Sequence, residues 1–177
     1  MNFFVWFFFR QNHDEDYQTK CEHSKVEKNE CHKRGITMST SIADFLSGTG
    51  YFSSWPSQDL MDFATHFQQY NLEEGELLFK EGDEDTAWYI IMSGRMSIIR
   101  DGQVGSSHIL AELERGEAFG EMSLLEKRPR MGSAMAMEPS IILKLDRIIF
   151  EALLDDHHPI AVGMLKEMAI SQSRRRA

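Results

Sequence analysis

The sequence predicts a mainly β domain, a small antiparallel barrel or sandwich with one helix before it and two after it. Short apolar runs recur at 77–80, 87–92, 96–99, 109–113, 133–137 and 141–145. Gly75, Gly82, Gly94, Gly102, Gly105 and Gly116 punctuate them, and short strands separated by glycine turns at this spacing belong to antiparallel sheets. Segments of helical periodicity flank the runs on both sides.

Ahead of the runs, Leu60, Phe63, Ala64 and Phe67 fall at i, i+3, i+4 and i+7, which predicts an amphipathic helix over 57–68 with Ser57 near its N-cap. Behind them, Phe150, Leu153 and Leu154 begin a helix after Asp146-Arg147, and Asp155, Asp156, His157 and His158 interrupt it. Pro159 suits the first turn of a second helix. That helix carries Ile160, Val162, Met164, Leu165 and Met168 and ends in Arg174–Arg176, a solvated basic end that suits a helix C-terminus. Its methionines are expected to serve packing, with a homodimer through this helix as the lesser alternative. No internal repeat is visible.

The chain has 177 residues, 42% of them hydrophobic and 27% charged, with 19 Lys+Arg against 28 Asp+Glu. That is length for one domain and a tail, with ordinary apolar content that excludes wholesale disorder. A net charge of −9 argues against a nucleic-acid binder. Two cysteines do not make a disulfide scaffold. Residues 1–37 hold six basic and six acidic residues, so the whole imbalance falls on 38–177 with 13 basic and 22 acidic. The expected domain is therefore 38–177, with 1–37 a disordered tail or Met38 the true start of translation.

Seven apolar residues, Phe3 to Phe9, open the chain. As a helix they span about 10 Å, well short of the roughly 20 residues a bilayer requires. Arg10, Gln11 and Asn12 follow, without the small residues of a signal-peptide cleavage site. Cys21, His23, Cys31 and His32 are zinc-type residues without zinc-type spacing, so no metal site is expected. His66 and His108 are isolated, and no His-x-His or carboxylate cluster supports a metal-containing barrel enzyme. No catalytic nucleophile or base stands out, and no enzyme is expected.

The chemistry-bearing stretch is Phe119-Gly120-Glu121-Met122-Ser123-Leu124-Leu125, continuing through Pro129-Arg130-Met131-Gly132-Ser133. A strand ends at Gly120, a short helix follows, and a lone arginine arrives at the start of another strand. Free N–H groups at a helix start favour an anion, Gly120 lets backbone come close, and Arg130 has a fork suited to two phosphate oxygens. Glu121 beside an anion makes sense if it accepts a hydrogen bond from a neutral hydroxyl. A ribose phosphate fits all three. Singly, each residue reads as an ordinary turn or surface charge. Trp88 and Tyr89 read as core.

This stretch resembles the phosphate-binding cassette of the cyclic nucleotide-binding domain family, which includes catabolite activator proteins and the regulatory subunits of protein kinase A. Glu74-Gly75-Glu76-Leu77-Leu78-Phe79-Lys80-Glu81-Gly82-Asp83, then Tyr89-Ile90-Ile91 and Gly94, resembles the family's first hairpins. The resemblance covers roughly 40–173 and implies an eight-stranded antiparallel β-roll of jelly-roll type with an N-terminal helix and two C-terminal helices. It implies that Glu121 accepts the ribose 2′-hydroxyl and Arg130 pairs with the cyclic phosphate, with Gly120 and backbone N–H groups near Met122, Ser123, Met131 and Gly132 completing the shell. Met131 offers no hydroxyl where cGMP-selective members carry threonine, which tilts the expected ligand to cAMP over cGMP. Gly132 replaces a commoner alanine and is expected to loosen its strand slightly. No cofactor is implied beyond this ligand. The resulting expectation is a cytoplasmic, stand-alone sensor, with too few residues after the barrel for a helix-turn-helix reader. Its helices at 147–154 and 159–173 would swing onto the pocket and signal to a protein partner in trans. The alternative is a degenerate, non-binding roll serving as a protein-interaction scaffold.

Overall fold

Trp88, Tyr89, Ile90 and Ile91 are consecutive and all buried. A strand sends alternate side chains to opposite faces, so both faces of this one must be covered. In the computed structural model, which describes residues 41–53, 55–101 and 107–175, they are. The aromatic run Phe3–Phe9, the Cys21–His32 group and Met38 lie outside the described residues. Residues 41–47 are helical. There follow α1 (Ser57–Ala64), β1 (Phe67–Leu72), β2 (Leu77–Phe79), β3 (Trp88–Ser93), β4 (Met96–Asp101), β5 (Ser107–Leu113) and β6 (Ala118–Phe119). After these come α2 (Glu121–Glu126), β7 (Ser133–Ala136), β8 (Ser140–Leu145), α3 (Arg147–Asp155) and α4 (Pro159–Arg175).

The strands form two four-stranded sheets, ordered β1-β8-β3-β6 and β2-β7-β4-β5, with antiparallel pairing throughout. This is the eight-stranded roll the cassette implied. Tyr89, Ile91 and Ile142 point between the sheets, onto Leu72, Phe79, Met96, Leu113, Phe119 and Ala134. Trp88, Ile90, Leu143 and Leu145 point the other way, into a second core shared with Phe52, Phe63, Phe150, Met164 and Met168 of the helical segments. The methionines of α4 are thus core residues. Edge-on aromatic pairs tie this layer, including Tyr51–Trp88 at 5.4 Å and Phe52–Trp55 at 4.6 Å between ring centroids, a geometry that adds about 0.5–1.5 kcal/mol per pair to simple burial.

The structure departs from the sequence expectation in four places. The helix predicted over 57–68 stops at Ala64, and Phe67 opens β1 opposite Leu145. Thr65 ends it by donating its hydroxyl to the Asp62 carbonyl at 2.6 Å. Phe67 fits the helical period because it reaches the same core from a strand, 5.1 Å from the Phe63 ring. Second, although Ser57 lies beside the N-cap as expected, the cap residue Pro56 makes no side-chain cap bond. Third, two helical segments precede the strands rather than one. Fourth, Gly132 tightens its strand: a β-carbon there would lie 2.8 Å from the Ile99 carbonyl oxygen, where β4 pairs with β7 through Ile99 and Ser133.

The α3–α4 break is a formed cap. His157 takes φ 53°, its N–H bonds to the Leu154 carbonyl at 2.9 Å and the His158 N–H bonds to that of Leu153 at 2.9 Å. That is the two-bond Schellman closure, with histidine where glycine is usual.

Gly132→Ala is therefore expected to destabilise the fold by about 1–3 kcal/mol, the range for overpacking, measured by urea denaturation. A gain of about 0.4–1 kcal/mol, the entropic benefit of Gly→Ala at an unconstrained site, would contradict the close-approach argument.

Candidate functional site

Arg130 is placed by its own backbone. Its N–H donates to the Asp83 carbonyl and its carbonyl accepts from the Gly82 N–H, each at 2.9 Å, which clamps the residue to the turn after β2. Its side chain runs inward and is 2% exposed. A buried guanidinium needs partners for its charge and donors. Nη1 donates to the Gly120 carbonyl at 3.2 Å, and Nη2 to the Ala87 carbonyl at 2.8 Å and to Asp85 Oδ2 at 2.5 Å. The Phe79 and Tyr89 rings lie 4.1 Å and 5.2 Å from the guanidinium carbon, adding cation–π attraction. Nε is buried and has no hydrogen-bond partner among the described residues.

Gly120 takes φ 85° as the N-cap of α2. A β-carbon there would sit 2.6 Å from Arg130 Nη1 and 2.9 Å from the Ala87 carbonyl oxygen. Only glycine satisfies both the left-handed backbone and the close approach. Helix α2 ends at Lys127, itself left-handed at φ 57°, and Pro129 two residues on prevents its extension. The chain is thereby turned back in time for Arg130 to meet the start of the same helix.

Glu121 is the next residue after Gly120, 5% exposed. Its Oε1 accepts a close hydrogen bond from Nε2 of Gln172, on α4. Arg130 thus reaches the carbonyl of the peptide that joins Gly120 to Glu121, and both Arg130 and Glu121 are buried. Ser123 is buried within α2 and Met122 partly so. Met131 is 50% exposed, and Gly132 lies against β4.

Several residues of this site were missed in the sequence. Asp85 sits in a Gly82-Asp83-Glu84-Asp85 stretch that reads as an acidic turn, with nothing to single out its fourth residue. Phe79 and Tyr89 read as core, which they are; no pattern shows that they also flank a cation. Gln172 had a signal: Ile160, Met164 and Met168 step along α4 at four-residue intervals, and the next step is Gln172. Among the described residues, no group of three or more His, Cys, Asp or Glu side chains could hold a metal ion.

The electrostatics follow from the pairing. Burial raises the Asp85 carboxyl, but the hydrogen bond from Tyr89, the bond and charge of Arg130 and the Ala87 N–H together outweigh it, leaving the group below its ordinary value of 3.8. The Tyr89 hydroxyl is pushed well above its ordinary range, by burial first and by the bond to Asp85 next. A carboxyl lowered in the folded state stabilises above its unfolded value and loses that contribution as pH falls through the folded one. Asp85→Asn is expected to be less stable than the wild type at pH 7, by about 1–3 kcal/mol for a weakened charge-assisted bond. The gap should close as pH drops below 3.8, measured by urea denaturation at stepped pH. A gap that stays constant would contradict the pairing.

A family model described as the cyclic nucleotide-binding domain matches residues 69–157. Lysophospholipase nte1 of Neurospora crassa is 33% identical over 109 residues, 62% of this chain but 7% of that protein. The cyclic AMP receptor protein of Thermus thermophilus is also 33% identical over 109 residues, 62% of this chain and 50% of that one. Among solved structures, the catabolite activator protein of Thermus thermophilus superimposes with a TM-score of 0.63 at 30% identity, covering 71% of this chain and 59% of that chain. A cyclic nucleotide-binding domain from Methylobacillus flagellatus gives a TM-score of 0.68 at 21% identity, covering 79% of each chain, a likeness of fold. This chain therefore spans at most half the length of these sequence relatives, through a domain whose fold is regulatory. With half its length under that family model, the chain belongs to the cyclic nucleotide-binding domain family.

Proposed function

We propose that the domain is a cyclic nucleotide sensor that binds cAMP in preference to cGMP. The observation that carries this reading is the buried Arg130, fixed against the Gly120–Glu121 peptide with its Nε–H unused. A buried Nε–H with no partner among the described residues is a donor that an oxygen of a phosphodiester can take. The N–H groups of Met122 and Ser123 in the first turn of α2, with those near Met131 and Gly132, complete the phosphate contacts in this reading. Glu121 takes the ribose hydroxyl. Met131 presents no hydroxyl to a guanine, which favours adenine. Ligand binding moves α3 and α4, which a protein partner in trans reads where Ile148 and Val162 stand exposed. The cytoplasm is the compartment this reading assigns.

One observation favours a second reading, a non-binding roll used as a scaffold. Asp85 already neutralises Arg130 and Gln172 already engages Glu121, so the site's charged groups are satisfied from within the chain.

Calorimetric titration separates the two. The wild type is expected to bind cAMP with heat at ligand concentrations up to about 100 μM, and cGMP more weakly. Arg130→Lys keeps a charge but loses the fork. One charge-assisted bond at about 1.5–3 kcal/mol makes the expected loss about tenfold to a hundredfold, with a thermal melt to show that the variant is folded. No heat from the wild type with either nucleotide supports the scaffold.

A further inference from the structure

β5 is the outermost strand of its sheet, beyond β4, and at seven residues the longest of the described strands. An edge strand carries a row of backbone N–H and C=O groups with no strand beyond it, a template for pairing unless the chain blunts it. The other three edges are blunted. β2 has three residues and β6 two, and β1 presents Gln68, Gln69 and Asn71. β5 reads Ser-His-Ile-Leu-Ala-Glu-Leu, without proline or lysine, and leaves Ile109 61% and Leu110 53% exposed. The register with β4 steps from Ile98–Ala111 to Ile99–Ile109 and passes over Leu110.

We infer that β5 is a docking edge for a second copy of this chain, the two strands running antiparallel about a two-fold axis at Leu110. In an antiparallel pair related by a two-fold axis normal to the sheet, one residue faces its own copy. Centred on Leu110, the pair sets Ile109 against the second copy's Ala111 and His108 against the second copy's Glu112, each contact made twice. An imidazole N–H then meets a carboxylate at both ends of an apolar centre, the kind of cross-strand pairing that stabilises sheets. Arg100 stands opposite His108 on β4 and adds a positive charge behind it. Centring on Ala111 would set Leu110 against Glu112, and centring on Glu112 would oppose two carboxylates, which destabilises. The strand is thus complementary to itself in one register. The step at Leu110 adds twist and keeps the ribbon short, so a reversible micromolar association is expected rather than an obligate dimer. None of this depends on the nucleotide reading of the site.

Sedimentation velocity on the full chain tests it at concentrations of about 1–100 μM. The wild type should pass from monomer to dimer across that span. Leu110→Lys puts a charge at the centre of the edge and should leave the chain monomeric throughout, with a thermal melt to show that it is folded. The charge pair gives a reading independent of that variant. His108→Glu sets carboxylates against each other and should weaken dimerisation by about tenfold. Adding Glu112→Lys to it should return the dimer to wild-type strength, because opposite charges face each other again. A wild type that stays monomeric overturns the inference. So does a dimer that folded Leu110→Lys leaves intact, since the contact then lies elsewhere on the surface. A double variant no tighter than His108→Glu alone overturns it as well.

Discussion

One buried cation organises the site. A guanidinium that is 2% exposed is costly in the interior without an anion and carbonyl oxygens around it, and meeting that requirement recruits three separate pieces of chain. Asp85 provides the counter-charge and the Ala87 and Gly120 carbonyls each accept from a terminal nitrogen. Phe79 and Tyr89 line the sides. Tyr89 is doubly used, since its hydroxyl donates to Asp85 at 2.5 Å and so keeps the acid turned towards the arginine. The glycine at 120 is a consequence of the same requirement, because any β-carbon there would occupy the guanidinium's own space.

The layering explains how a helix from the far end of the chain reaches this arginine's neighbourhood. β3 and β8 are the inner strands of one sheet and are buried on both faces, by the opposite sheet on one side and by the helical segments on the other. β6 lies at the edge of that sheet and runs directly into Gly120 and α2. A helix docked on the outer face of β3 and β8 is therefore near the β6–α2 turn without any long excursion, and α4, anchored by Met164 and Met168, arrives there with Gln172. The same packing that stabilises the domain brings its last helix to the carboxylate.

Much of this was legible in the residues. Six apolar runs between glycines predict the sheets, and the glycine and arginine that the sequence singles out, Gly120 and Arg130, do meet in the fold. What was hidden was hidden for physical reasons. β1 reads Phe-Gln-Gln-Tyr-Asn-Leu and buries only its two ends, so it carries no alternating signal, and Phe67 counted as helical. β6 has two residues, too few for any period. Asp85 is invisible because its role is set by where a residue 45 positions later places its charge. Gly132 looked like a loosened alanine site because the carbonyl it must clear belongs to β4, 33 residues earlier.

The central claim is that the free Nε–H of Arg130 is the donor a cyclic phosphate takes. Arginine Nε–H signals in a nitrogen–proton correlation spectrum test it directly, with Arg130→Lys identifying the resonance. Addition of cAMP is expected to move this one signal downfield, as a new hydrogen bond forms to an anionic oxygen, while the Nε–H of surface arginines such as Arg128 stays in place. An Arg130 signal that holds its position while cAMP is demonstrably bound would contradict it.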